Sequence, residues 1–145
     1  MQDNGNQKLR LLALMPLIHK TFLSVPLLKE FGHTKTQLFI CMALYRRGNL
    51  TMSQIAQHIS SSKEQATRAV APLVEDGLVQ RFISEENRTH IHVQLTEKGR
   101  QLVHSRLDSF GDAFDRKLTQ SLTPEEREQL YDSIETVIRL LEKLN

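Results

Sequence analysis

The sequence predicts a mainly α fold that carries one small β-hairpin. Three observations lead there. Apolar residues recur at helical spacing through most of the chain. Thr34, Thr51, Ser62 and Thr123 each stand three positions before a Gln or Glu and open such a stretch, as helix N-caps do. One segment, Leu78 to Leu95, leaves that period for strand-like patterning around a polar turn. The 145 residues suit a single domain with a real core.

The elements follow in order. The first helix is expected from about Gln7 to Phe31, interrupted by Pro16 and Pro26. It is apolar nearly all round, with Leu9, Leu12, Met15, Leu17, Ile18 and Phe22, so it must be covered on more than one side. In so short a chain that points to a second subunit. Gly32-His33 breaks it, and a second helix runs from the Thr34 cap to about Arg47, ended by Gly48-Asn49. The third, about Met52 to Ile59, shows a stripe of Met52, Ile55, Ala56 and Ile59. Three serines then turn the chain into a fourth helix, about Lys63 to Asp76, whose stripe is Ala66, Ala69, Val70, Leu73 and Val74. Gly77 stops it. Pro72 lies inside this helix and removes one backbone donor.

Leu78 to Ile83 and Ile91 to Leu95 read as two strands joined by "SEENRT". A fifth helix follows Thr96 to about Thr119, with Val103, Leu107, Phe110, Phe114 and Leu118 at helical spacing. The sixth begins at Thr123-Pro124-Glu125-Glu126 and carries Leu130, Ile134, Val137, Ile138, Leu141 and Leu144. Residues 1–145 are thus expected as one domain. Its central part, about 34–100, is flanked by terminal helices, about 7–31 and 101–145, that look like an assembly surface.

Composition narrows the function. Charged residues make 25% of the chain and hydrophobic ones 39%, which is ordinary for a globular protein. No apolar run reaches the ~20 residues needed to span a bilayer, so no membrane partner is expected, and the polar start MQDNGNQK suggests a cytoplasmic protein. A single cysteine, Cys41, fits a reducing compartment. Net charge is only +2, but residues 101–145 hold nine acids against six bases. An anionic partner should therefore meet the middle or front of the chain. No nucleophile elbow, zinc-protease motif or phosphate loop is present, so neither an enzyme nor a cofactor is expected.

The middle elements, taken together, form a helix-turn-helix followed by a wing. In that arrangement small core residues pin one face of the second helix, and the other face enters a major groove of double-stranded DNA. Ala66 and Ala69 are small enough for the first task. The opposite face presents Glu64, Gln65, Thr67, Arg68 and Ala71. Arg68 and Gln65 have the donors to read guanine and adenine. Ser61, Ser62, Lys63 and Thr67 suit phosphates or base edges. Arg81 lies on the first strand, and Arg88 and Thr89 sit at the hairpin tip, where a long cation can reach the backbone or minor groove.

At these residues the chain resembles the MarR family of bacterial transcriptional regulators. The segments that carry the resemblance are "LTMSQIAQHI", "SSSKEQATRAVAPLVEDGLVQR" and "HVQLTEKG". The resemblance implies a homodimer with a winged helix in each subunit. The first, fifth and sixth helices would form the dimer region, and the DNA site would be pseudo-palindromic. It also implies a repressor released by a small aromatic or lipophilic effector, for which His19, Phe22 and Tyr45 are the candidate lining residues. Where typical members read Asp-Arg-Arg in the wing, this chain has Asn87, Arg88 and Thr89. Pro72 stands where members usually carry a helix-compatible polar residue.

Other readings remain open beside it. A winged helix also serves as a protein–protein module. Cys41 could sense oxidants, although its place among Phe39, Ile40 and Met42 suits an inert core thiol better. His90 and His92 stand two apart on one strand and could begin a metal-sensing site, yet no cluster in the sequence completes a ligand set.

Overall fold

The computed structural model describes residues 4–23, 32–86 and 88–144. The element order is α1 (Asn4–Leu23), α2 (Lys35–Arg47), β1 (Asn49–Thr51), α3 (Met52–His58), α4 (Lys63–Glu75), β2 (Val79–Ile83), β3 (Ile91–Leu95), α5 (Glu97–Ser121) and α6 (Pro124–Glu142). The expected mainly α fold with a hairpin wing is what the chain adopts. Helix α1 begins three residues before the expected start and contains Pro16. The rest of the expected first helix, with Pro26 and Phe31, lies outside the described residues.

All four capping boxes form. At Thr34, Thr51, Ser62 and Thr123 the side-chain oxygen accepts from the backbone N–H three residues on. The Gln or Glu there reaches back to the cap's own N–H. Each box satisfies two donors that a helix start leaves unpaired. The helix boundaries were readable because of this chemistry.

Three helices end at a residue of positive φ, α2 doing so at Gly48 with φ +85°. At the end of α4, Gly77 has φ +70°, Gly77 N–H bonds the Val74 carbonyl at 3.0 Å, and Leu78 N–H bonds the Leu73 carbonyl at 2.9 Å. At the end of α3 the same pair of bonds runs from Ser60 to Gln57 (3.1 Å) and from Ser61 to Ala56 (2.9 Å). There the left-handed position is filled by Ser60, at φ 51°. It is the one non-glycine residue with positive φ among the described residues. A side chain in that conformation carries a steric cost that glycine avoids.

The sheet has three strands, not two. Its order is β1-β3-β2, antiparallel throughout, with Leu50 opposite Val93 and Arg81 opposite Val93 on the other side. Three-residue β1 is too short to show a period in sequence, so Asn49 and Thr51 read only as a helix stop and a helix cap.

The described residues divide into two compact units, Met1–Ser109 and Phe110–Asn145. The first contains the principal core. Leu38, Ile40, Leu44, Ile55, Val70, Leu73, Val93 and Val103 are each 2% exposed or less. Gln37 is the buried polar residue among them. Its amide oxygen closes the Thr34 box, and its Nε2 donates to the Ala69 carbonyl at 3.1 Å, which ties α2 to α4. In the second unit Phe114 and Leu118 are buried, while Tyr131 donates to Asp115 and Arg127 to Thr119.

The turn from α4 into β2 is gripped by the start of α5. Thr96 Oγ1 donates to the Gly77 carbonyl at 2.5 Å, and Lys98 Nζ donates to the Asp76 carbonyl at 2.8 Å. Thr96 N–H bonds the Leu78 carbonyl at 3.0 Å. Gly99 lies against that same carbonyl, so close that a Cβ there would fall 1.9 Å from the oxygen. Thr96, Lys98 and Gly99 of "LTEKG" each therefore have a physical task. His33 adds a further tie across the unit, with Nε2 2.6 Å from Asp76 Oδ2.

Candidate nucleic-acid interface

Helix α4 divides cleanly into two faces. Ala66, Val70 and Leu73 are buried without measurable exposure. Lys63, Glu64, Gln65, Thr67 and Arg68 are exposed. The spacing of the apolar stripe forces this division, since residues three and four apart share a face. Ala69 and Ala71 lie half-buried at the borders. Helix α4 stays helical through Pro72. The bond from Asp76 N–H to the Pro72 carbonyl forms normally at 3.0 Å, so the proline costs only the donor that would have met Arg68.

The first turn of this helix is more occupied than its sequence suggests. The Gln65 amide oxygen accepts from Ser61 Oγ and from Ser62 N–H, the latter at 3.4 Å. Thr67 Oγ1 donates back to the Lys63 carbonyl at 2.8 Å. Glu64 is held ionised below the usual carboxylate range, first by its own backbone N–H and by Ser62, with Arg68 and Lys63 adding to the effect. Arg68 is the long exposed side chain of the face that sits one turn beyond this network.

The wing places Arg81 on β2, exposed, and Arg88 and Thr89 in the β2–β3 turn, both exposed. Asn87 lies outside the described residues. His92 packs on Phe82 with ring centroids 5.5 Å apart, and its Nδ1 lies 3.1 Å from Asn49 Oδ1. That contact joins β3 to β1 by side chains as well as by the ladder.

The MarR family model matches residues 33–91, which run from before α2 to the first residue of β3. The chain is 31% identical over 106 residues to the HTH-type transcriptional regulator YfiV of Bacillus subtilis, covering 73% of this chain and 66% of that protein. It is 26% identical over 120 residues to the transcriptional repressor MprA of Escherichia coli, covering 81% of this chain and 68% of MprA. This chain belongs to the MarR family. The match spans only about two thirds of the length of YfiV. The fold agrees with the solved structure of a mutant of MarR from E. coli, at TM-score 0.73 and 22% identity over 88% of this chain and 93% of that one.

Two of the three effector-lining candidates have described side chains. His19 is exposed on α1, Tyr45 is half-buried on α2, and the side chain of Phe22 lies outside the described residues. Tyr45 is engaged with α5. Its hydroxyl is 3.1 Å from His104 Nδ1, its ring lies near-parallel to His104, and Arg100 sits 5.7 Å over it.

Cys41 is 1% exposed, and burial pushes its thiol up to about 12, far from the thiolate that oxidants attack. Among the described residues no three His, Cys, Asp or Glu side chains converge as a metal site would require. Nor is any helix among them long and apolar enough to cross a membrane.

One feature had no sequence signal. A cleft of about 160 Å³ opens between the start of α3, the start of α4 and the wing. Ser53, Lys63, Thr89 and His90 supply its polar lining, and Met52 and Ile91 its apolar wall. These residues come from three separate stretches of the chain, and only the fold gathers them.

Proposed function

We propose that this chain is a dimeric, sequence-specific DNA-binding transcriptional regulator acting as a repressor. The observation that carries the reading is the division of α4. One face is locked into the core through Ala66, Val70 and Leu73, and a polar face with Arg68 stands open beside a wing bearing Arg88. The family and the names of YfiV and MprA support it. Arg68 reads a base edge in the major groove. Gln65 contributes only if its amide group, engaged in the helix cap, turns its NH2 outward. Ser61, Ser62, Lys63 and Thr67 line the phosphates, and Arg81, Arg88 and Thr89 extend the contact along the backbone.

Dimerisation is supported by apolar side chains left open in the single chain. Leu9, Leu12, Met15 and Leu17 on α1 are each more than 60% exposed, and Ile138 and Leu140 on α6 are each 49% exposed. Two subunits would place their α4 helices in successive major grooves, roughly 34–36 Å apart. A small aromatic or lipophilic effector would release the repressor only by favouring a different spacing of those helices.

Fluorescence anisotropy on a duplex selected from random sequence tests the reading. Wild type should bind that duplex more tightly than random DNA, and Arg68→Ala should shrink the ratio by about tenfold or more. Absence of binding at low salt, from a folded dimer, would leave a protein–protein module as the better account.

A further inference from the structure

The cleft between α3, α4 and the wing has an unassigned chemistry. Lys63 brings a cation from α4, Ser53 a hydroxyl from α3, and His90 and Thr89 an imidazole and a hydroxyl from the wing. No carboxylate lines it among the described residues. The nearest acid in sequence, Glu64, is not among its lining residues. Of the other two hollows described in this structure, one is lined by Glu125, Glu128 and Asp132, and the other by Asp112, Asp115 and Arg116. Lys63 is the one side chain of fixed charge among the lining residues of this cleft. At about 160 Å³ it is well below the ~300–1,000 Å³ that drug-sized ligands occupy. A tetrahedral phosphate surrounded by a few donors matches its size.

We propose that this cleft seats one backbone phosphate of the DNA duplex, gripped by Lys63, Ser53, Thr89 and His90. The inference rests on the reading that the α4–wing side faces DNA. It goes beyond it by naming one phosphate and two residues, Ser53 and His90, that would share it with Lys63. Three elements converge on the site, so an occupied seat fixes the wing's height against α4. Such a contact sets register and carries no sequence information. Ile91 and Met52 supply the apolar part of the lining.

The experiment is a double-mutant cycle on protein and DNA. Single neutral methylphosphonates are placed at successive backbone positions of the selected duplex. Wild type and Lys63→Ala are then titrated by anisotropy over a range of salt. Lys63→Ala should weaken specific and random duplexes by the same factor, about tenfold. Its log K against log salt should lose about 0.9 of slope, the equivalent of one phosphate. At one position in each half-site the methylphosphonate should weaken wild type and leave Lys63→Ala unaffected. Ser53→Ala and His90→Ala should show the same positional coupling.

Coupling at no position, with Arg68→Ala still losing specificity, overturns the seat and leaves the regulator reading intact. Failure of wild type to bind any duplex at low salt removes the regulator reading and the seat together. His90 ring resonances that respond to inorganic phosphate in wild type but not in Lys63→Ala, with no positional coupling on DNA, would mark the cleft as a site for a free anion and overturn the duplex assignment.

Discussion

Gly99 offers the sharpest test of how the turn between α4 and β2 is held. A methyl group there would stand 1.9 Å from the Leu78 carbonyl oxygen, 2.8 Å from its carbon and 3.2 Å from its Cα. All three are backbone atoms, so no side chain can swing aside. The carbonyl is also bonded to Thr96 N–H, and Leu78 N–H is committed to Leu73. Relief therefore requires the start of α5 to lift by about an ångström from the turn. That would loosen the Thr96 bonds to the Leu78 and Gly77 carbonyls, at about 1 kcal/mol each. Imperfect repacking around buried Leu78 adds ~1–3 kcal/mol. Against this, alanine in a helix gains about 1 kcal/mol over glycine. Gly99→Ala should thus destabilise the protein by ~2–4 kcal/mol, read as a lower midpoint in urea unfolding followed by circular dichroism. Gly111→Ala supplies the control, because it lies in the same helix and its Cβ would meet nothing within 4 Å. That variant should be neutral or gain up to ~1 kcal/mol. Equal midpoints for the two variants would refute the claim that this glycine sets the approach of α5.

Three further outcomes are expected. Ser60→Gly should raise stability by ~0.5–1 kcal/mol, because glycine occupies the left-handed cap of α3 without strain, and thermal unfolding reads the shift. Cys41 should resist alkylation at pH 8 in the native protein and react rapidly in urea. Its thiol ionises near 9.0 when unfolded and near 12 when folded, so it favours the unfolded chain progressively as pH rises through that window. Stability should be undiminished by this group below pH 9.0, and Cys41→Ala should flatten the alkaline loss. Under the proposed dimerisation, Ile138→Glu should favour monomer in sedimentation at micromolar concentration, since Ile138 is 49% exposed in the single chain and burying a charge there would be costly.

The parts of this fold that were legible in the sequence share one property: their signals are local. Thr34 with Gln37, or Ser62 with Gln65, announces a helix start within a single turn, and each start forms as announced. The stripe Ala66, Val70 and Leu73 orients α4 without reference to anything else. What stayed hidden depends on distant partners. Asn49–Thr51 becomes a strand only because Gln94, Val93 and His92 lie opposite. Gly99 is required by a carbonyl at Leu78, and Gln37 doubles as a tie to Ala69. Within the candidate site the exposure of Arg68 was readable. The engagement of the Gln65 oxygen with Ser61 was not, because side-chain competition for one acceptor has no sequence period.

The short strand β1 has a mechanical consequence. Thr51 is at once the last residue of the ladder with β3 and the cap of α3, so no slack separates the sheet from that helix. A hairpin that is pushed or pulled must drag the front of α3 along as a lever drags its axle. Helix α4 is held at both ends too, by the Ser60 and Ser61 bonds to the end of α3 and by the Gly77–Leu78 turn into β2. A head built this way carries α4 and the wing as one piece, because a single buried cluster holds Val70 and Leu73 together with Val79 and Val93.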